Sequence, residues 1–108
     1  MVDKILTASG VPYRRGKFTG KASTYAVYTD DITTDGPDGL PEMLLRHDIT
    51  VELYESKPDD AAEAALEAAI SAAGLQWEKQ DRYWLQSEQL YQVVYEFNYI
   101  EKGGCNRG

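Results

Sequence analysis

The sequence has few of the residues that carry covalent and acid-base chemistry. It holds one cysteine and one histidine in 108 residues. A lone cysteine cannot form a disulfide within the chain, and its use here is typical of a reducing, intracellular setting. Nucleophilic catalysis needs a base within hydrogen-bond reach of the nucleophile, and histidine is the usual base. We therefore predict that the protein is not an enzyme and requires no cofactor.

The single histidine, His47, is followed directly by Asp48 at the start of a predicted strand. Adjacent residues of a strand point to opposite faces, so these two side chains are not placed to form a catalytic pair. We predict a structural role for His47.

Positive charge and long apolar runs are also scarce. The chain has 11 Lys and Arg against 18 Asp and Glu, which leaves a net charge of −7 and a sequence pI near 4.6. A negatively charged protein repels a phosphate backbone, so we predict no specific nucleic-acid partner. No run approaches the ~18 consecutive apolar residues of a membrane-spanning helix, so we expect a soluble protein without a membrane partner.

Carboxylates are abundant and could in principle line a metal or hydrolytic site. Glu52 with Glu55, and Glu63 with Glu67, are the pairs with suitable spacing. Each residue follows the outward-facing period that we assign to its strand or helix. We predict that all four are solvated and that none holds a metal.

One segment matches the calcium loop of an EF-hand. Residues Asp31 to Glu42, DITTDGPDGLPE, have Asp at positions one and five, Gly at six and Glu at twelve. Thr33 and Asp38 depart from the motif, Pro41 crowds the glutamate, and the flanks are predicted strands instead of helices. Calcium binding stays open as an alternative, and an enzyme would need a metal held by Asp31, Asp35 and Glu42.

The pattern of apolar residues predicts an α+β fold. The last third alternates at the two-residue strand period, with Tyr91, Val93, Tyr95, Phe97 and Tyr99 on one side. Short connections favour antiparallel pairing of the last strands. We predict an antiparallel sheet of four to five strands, with one main helix and a short N-terminal helix on one face. The predicted strands before the main helix are Val11–Phe18 and Ser23–Thr29, which could form a hairpin, and Leu44–Glu55. Two strands follow the helix: one runs through Gln76–Lys79 and Arg82–Leu85, and the other is Leu90–Lys102. Asp30–Glu42 is a predicted loop.

The two predicted helices carry recognisable ends. The first covers Asp3–Ala8 and stops at Gly10. In the second, Pro58 takes the first helical position, acidic residues follow in the first turn, and Gly74 closes the helix. Its alanines would let it pack closely on the sheet, with Trp77, Trp84 and the tyrosines filling the remaining volume.

Two surfaces of opposite charge suggest how copies of the chain could meet. A basic hairpin on one copy would contact an acidic loop on the next, which is a head-to-tail contact that closes into a ring when the rotation permits. The basic residues are Arg14, Arg15, Lys17 and Lys21, and the acidic residues are Asp30, Asp31, Asp35 and Asp38.

Four segments between Val11 and Lys102 carry a family resemblance: VPYRRGKF, STYAVYTD, HDITVELYE and LQWEKQDRYWLQSEQLYQVVYEFNYIEK. Through them the chain resembles the small tail-completion or tail-terminator proteins of long-tailed bacteriophages and prophages. The resemblance implies a structural virion protein that forms a ring, hexameric in the family, at the head-proximal end of the tail. Implied partners are further copies of the chain, tail-tube proteins and head-tail connector proteins. The implied location is the virion tail, and the host cytoplasm during assembly.

We expect residues 1–102 to form a single tail-completion-like domain and residues 103–108, which include Cys105, to be a disordered tail. Two other functions remain open. One is a head-tail connector, or neck, component, and the other is a small acidic module that binds or inhibits another protein.

Overall fold

The computed structural model describes residues 1–17, 23–35 and 44–102, with the backbone alone for Asp35 and Lys102. In these ranges the chain forms two helices and a six-stranded sheet, so the predicted α+β class is confirmed. The predicted tail, residues 103–108, lies outside them. The elements are α1 Val2–Ser9, β1 Tyr13–Arg15, β2 Thr24–Asp35, β3 Leu44–Glu55, α2 Asp60–Ala72, β4 Trp77–Lys79, β5 Tyr83–Leu85 and β6 Leu90–Lys102.

Three long strands form the body of the sheet. Its order is β1-β2-β3-β6-β4, with β5 also paired to β6. β2 with β3 and β3 with β6 are antiparallel over twelve residue pairs each. β4 and β5 pair with successive parts of β6, Trp77 opposite Phe97 and Leu85 opposite Leu90. The predicted antiparallel pairing of the last strands is confirmed, and β4 and β5 act as one interrupted outer strand.

The predicted hairpin between the first two strands is wrong. β1 runs parallel to β2, with Tyr13 opposite Ala26 and Arg15 opposite Tyr28. β1 is tied to α1, because the Tyr13 hydroxyl lies 3.0 Å from the Thr7 hydroxyl and donates to the Asp3 carbonyl at 3.3 Å. This attachment to the preceding helix sets the direction of β1, which local turn patterns do not reveal.

The predicted loop at Asp30–Glu42 begins too early. β2 continues to Asp35 and pairs residue by residue with β3, from Asp30 opposite Ile49 to Asp35 opposite Leu44. Long-range pairing with an apolar strand therefore keeps a polar segment extended. The rest of the predicted loop, residues 36–42, lies outside the described ranges.

The helix ends follow the capping rules with one correction. α1 ends before Gly10, whose φ of 77° is left-handed and whose N–H donates to the Thr7 carbonyl. Asp59 is the N-cap of α2, and its carboxylate accepts from the Ala62 N–H at 3.0 Å. Pro58, predicted at the first helical position, lies one residue before the N-cap. The N-cap is Asp59, because its carboxylate can accept from a free N–H of the first turn and proline has no side-chain acceptor.

One core lies between the two helices and the inner face of the sheet. The side chains on that face include Val51, Leu53, Val93 and Tyr95, all 0% exposed. From the helices, Leu6, Leu66 and Ile70 are equally buried, whereas Ala62 and Ala69 are only partly buried. Larger apolar side chains, more than alanines, therefore make the helix-sheet contact. Trp77 packs edge-on against Tyr95 at 5.8 Å, but Trp84 is 38% exposed and does not fill the core as predicted.

Candidate interaction surface and buried charge clusters

The predicted basic residues lie together at one edge of the sheet. Arg14 and Arg15 belong to edge strand β1, Lys17 follows it, and all three are exposed. The Arg14 guanidinium donates to the Tyr13 carbonyl at 2.9 Å. Lys21 lies outside the described residues. The basic edge is therefore defined by Arg14, Arg15 and Lys17.

The predicted acidic residues are divided between the two faces of the sheet. Asp30 turns toward the helix side, where its carboxylate is 13% exposed and paired with His47. Asp31 is exposed on the opposite face. Asp38 and the side chain of Asp35 lie outside the described residues. Of the four predicted acidic residues, Asp31 is thus the one whose side chain is described and exposed.

The outer face of the sheet, which points away from both helices, carries carboxylates in opposed positions. Asp31 lies opposite Asp48 in the β2-β3 register, and Glu78 lies opposite Glu96 in the β4-β6 register. Like charges directly opposite each other are unfavourable in a sheet. Arg46 pairs with Asp48 at 3.1 Å and relieves part of this repulsion. An open groove of about 830 Å³ runs beside Asp48, Glu78 and Glu96.

His47 lies at the centre of a buried bridge between three strands. The residue is 6% exposed. Its Nδ1 is 2.9 Å from a carboxylate oxygen of Asp30 on β2, and its Nε2 is 2.6 Å from Oε1 of Glu101 on β6. The ring stacks on Tyr99 with centroids 4.4 Å apart and 7° between planes. We call Asp30, His47 and Glu101 the histidine bridge.

The electrostatics of the bridge favour the charged imidazole. Burial alone would lower the pKa of His47, but the hydrogen bonds to Asp30 and Glu101 and their negative charges outweigh it and raise the pKa above 6.5. Asp48 is not a partner of His47, as predicted. Both acidic partners of His47 come from neighbouring strands, and neither was predicted from the sequence.

A second buried cluster joins α2 to the sheet. Glu55, at the end of β3, is 0% exposed, and Glu63 of α2 is 5% exposed. The Arg82 guanidinium lies over both, with Nη2 2.7 Å from Glu63 and Nε 3.4 Å from Glu55. Lys79 bridges Glu63 at 2.9 Å and Glu67 at 2.7 Å. The prediction that Glu55 and Glu63 are solvated is wrong, because both follow the buried period of their elements.

Within this cluster the two buried carboxyls have opposite pKa shifts. Burial raises the pKa of Glu55 to about 7, and the Glu63 carboxylate adds to the rise while Arg82 opposes it. Burial acts to raise the pKa of Glu63 as well, but Glu55, Lys79 and Arg82 together lower it. A protonated Glu55 can donate to the Glu63 carboxylate, and this hydrogen bond raises the pKa of Glu55 and lowers that of Glu63. Glu55 is therefore the neutral member of the pair below pH 7.

The calcium alternative does not fit the backbone. An EF-hand loop wraps around its ion, whereas Asp31 and Asp35 lie on a regular strand that advances ~6.8 Å with every second residue. Within the described ranges no group of three or more His, Cys, Asp and Glu residues is placed to hold a metal ion. Glu42 lies outside those ranges.

Comparison with known proteins bears on the fold. No family model matches the sequence, and no curated protein matches it. The fold has a solved counterpart. The chain is similar to a chain in the structure of the virion of a native gene transfer agent particle, with a TM-score of 0.62 and 16% sequence identity. The match covers 92% of this chain and 84% of that one, so the two share their fold over nearly the whole length.

Two clusters of charged residues join separate elements, β2 to β6 through His47 and α2 to the sheet through Arg82 and Lys79. The predicted interaction residues Arg15, Lys17 and Asp31 are exposed, as are the outer-face carboxylates Glu78 and Glu96. None of the described helices is long and apolar enough to cross a bilayer.

Proposed function

We propose that this chain is a structural component of a phage or phage-like particle. The supporting observation is the shared fold, over 92% of the chain, with a chain from the virion of a gene transfer agent particle. The fold provides a stiff sheet with one helix-covered face and one open face, which suits a protein that acts by shape. This function requires no catalytic group.

More specifically, the protein acts in tail completion or tail termination. It forms a ring, a hexamer by the family resemblance, on the head-proximal end of the tail and joins the tail to the head. The ring stops tube polymerisation and offers the connector a docking surface. Its partners are tail-tube and connector proteins, and its place is the virion tail after assembly in the host cytoplasm. Its partner surfaces include the outer face of the sheet.

Contact between neighbouring copies uses the basic edge of one subunit and Asp31 of the next. Both surfaces are exposed, and they lie on different strands, so the contact is head-to-tail and can propagate around a ring. Asp30 is excluded from it because His47 occupies its carboxylate. The chain as a whole is acidic, so a local basic edge also sets the orientation in which two copies approach.

A charge-swap experiment tests this contact. Arg15→Glu and Asp31→Lys are each expected to shift the native mass spectrum toward monomer, because each places like charges across the contact. Combining the two changes restores the attraction and is expected to recover the oligomer. Lys57→Glu is the control, since Lys57 is exposed between β3 and α2, away from both surfaces.

The swap gives clear contrary results. If both single variants assemble like the unmodified protein, or if the double variant assembles less well than either single variant, the proposed contact is wrong.

The particle function has a separate test, which is electron microscopy of particles made without the gene. Unjoined heads and tails, or tails of irregular length, are expected; normal joined particles would refute the proposed function.

A further inference from the structure

We propose that the histidine bridge is a proton-dependent tie that holds the distal end of the sheet in place. The distal end comprises residues 31–35 of β2, 44–46 of β3 and 100–102 of β6. This property belongs to the isolated subunit and does not depend on the proposed function.

The described side chains of the distal end are exposed or only partly buried. Ile32 is 50% exposed and Ile100 is 51% exposed, and the register places them on opposite faces of the sheet. Arg46, Thr33 and Thr34 are also exposed, and Leu44 and Leu45 are partly buried. Strands without fully buried side chains are weakly held, so their order depends on ties at their base.

The bridge lies where such a tie is needed. His47 is on the central strand, directly opposite Ile32 on one side and Tyr99 on the other. Its Nδ1 contacts Asp30, which lies opposite Ile49, nearer the core. Its Nε2 contacts Glu101, which lies opposite Leu45, nearer the distal end. One side chain therefore connects all three strands at the boundary between core and distal end.

The geometry requires a proton on both ring nitrogens. A neutral imidazole has one N–H and one lone pair, so one of its nitrogens would present a lone pair to a carboxylate within 3.0 Å. The imidazolium donates to both carboxylates, and its positive ring also stacks favourably on Tyr99. Removing one proton replaces an attraction with a repulsion on one side of the ring.

The titratable groups near the bridge come from three other elements. β2 contributes Asp30 and Tyr28, β6 contributes Glu101 and Tyr99, and α1 contributes Asp3, which accepts from the Tyr28 hydroxyl at 3.1 Å. Burial raises the pKa of Tyr99 above 10, and nearby carboxylates add to the rise, so the tyrosine stays neutral while the histidine titrates. The tie is fully present below pH 6.5 and is lost as pH rises through the higher pKa of folded His47.

Nuclear magnetic resonance tests this directly, because the chain has a single histidine and its two imidazole ¹⁵N signals are unambiguous. In a titration from pH 5.5 to 9.5 we expect both nitrogens to be protonated at the acid end, with a midpoint above 6.5. Over the same range, hydrogen-exchange protection factors at the distal end should fall by about tenfold or more, the effect of one charge-assisted hydrogen bond. The buried Glu55 titrates in the same range, so the measurement is repeated on Glu55→Gln, which removes that titration. In this variant, protection at Val51, Leu53 and Val93 should change much less than protection at the distal end.

Glu101→Gln provides the matched variant. Glu101 has a side chain that is 54% exposed, so the variant should fold, and it removes one charge while keeping the side-chain shape. We expect a lower histidine midpoint and weaker protection at the distal end. Asp48→Asn is the control, because it removes the adjacent carboxylate on the outer face and should leave the midpoint unchanged.

Three results would overturn the inference. They are a midpoint at or below 6.5, a proton located on Glu101 instead of the ring, and distal protection that does not vary with pH relative to the core.

Discussion

Replacing Glu55 by glutamine should change stability in a pH-dependent way. Glu55 is fully buried, and burial and the neighbouring Glu63 raise its pKa from 4.5 to about 7. Below pH 4.5 the carboxyl is neutral in both the folded and the unfolded protein. As pH rises from 4.5 to 7 the unfolded chain ionises freely but the folded chain does so at a cost. Folding stability from this residue therefore falls over that interval and stays low above it.

The size of the effect follows from the shift. A rise in the pKa of Glu55 from 4.5 to about 7 corresponds to a loss of about 3 kcal/mol in the free energy of unfolding at high pH. The attraction of Arg82, whose Nε lies 3.4 Å from Glu55, is already included in this shift. Glutamine keeps the shape but cannot ionise. We expect the stability of Glu55→Gln relative to the unmodified protein to be about 2–3 kcal/mol greater at pH 8 than at pH 5.

Urea unfolding followed by tryptophan fluorescence measures this, with both proteins compared at pH 5, 6, 7 and 8. Taking the difference between the two proteins cancels the titration of groups that do not interact with Glu55, including His47. The pH dependence of the difference then reports Glu55 together with its neighbour Glu63. Glu88→Gln serves as the control, because Glu88 is exposed in the β5-β6 turn and should show no pH-dependent difference. A stability difference that is constant with pH, or one that favours Glu55→Gln more at pH 5 than at pH 8, would refute the reasoning.

Two further substitutions test the helices. Asp59→Ala removes the N-cap bond to Ala62 and the bond from Thr24, and should cost about 1–2 kcal/mol in urea unfolding, whereas Asp59→Asn should recover most of it. An alanine variant as stable as the asparagine variant would contradict this capping role. Leu66→Ala opens a cavity at a fully buried position of α2 and should cost about 2–5 kcal/mol, whereas Glu88→Ala on the exposed turn should cost little; equal losses would contradict the core assignment.

Much of the fold follows from local periodicity. β3 begins and ends where the alternation around Ile49, Val51 and Leu53 predicts, and β6 does the same. Gly10 marks the end of α1 by a backbone rule that needs no tertiary information. These features are set by residues close in sequence, so sequence reasoning reaches them.

The extent of β2 and the direction of β1 do not follow from local pattern. The segment from Asp30 to Asp35 is rich in threonine and aspartate, and it stays extended because β3 pairs with it along its whole length. β1 is oriented by the contacts of Tyr13 with α1. Both depend on partners distant in sequence, which composition and turn residues do not specify.

The buried charge clusters were missed although a signal for them was present. The period that buries Ile49, Val51 and Leu53 continues to His47 at one end of β3 and to Glu55 at the other. Glu63 lies three residues before Leu66 and thus on the same side of α2. A charged residue is not necessarily exposed: His47 and Glu63 are buried beside partners of opposite charge, and Glu55 is buried with a raised pKa that keeps it neutral below pH 7.

The opposed carboxylates on the outer face also restrict how two molecules can aggregate. If two copies stacked sheet against sheet, Asp31, Asp48, Glu78 and Glu96 of each would be brought into a narrow gap with little water, where repulsion between like charges is stronger. Unwanted stacking of exposed β surfaces is therefore discouraged without any covering layer. Productive encounters are left to the strand edges and to partners that bring positive charge.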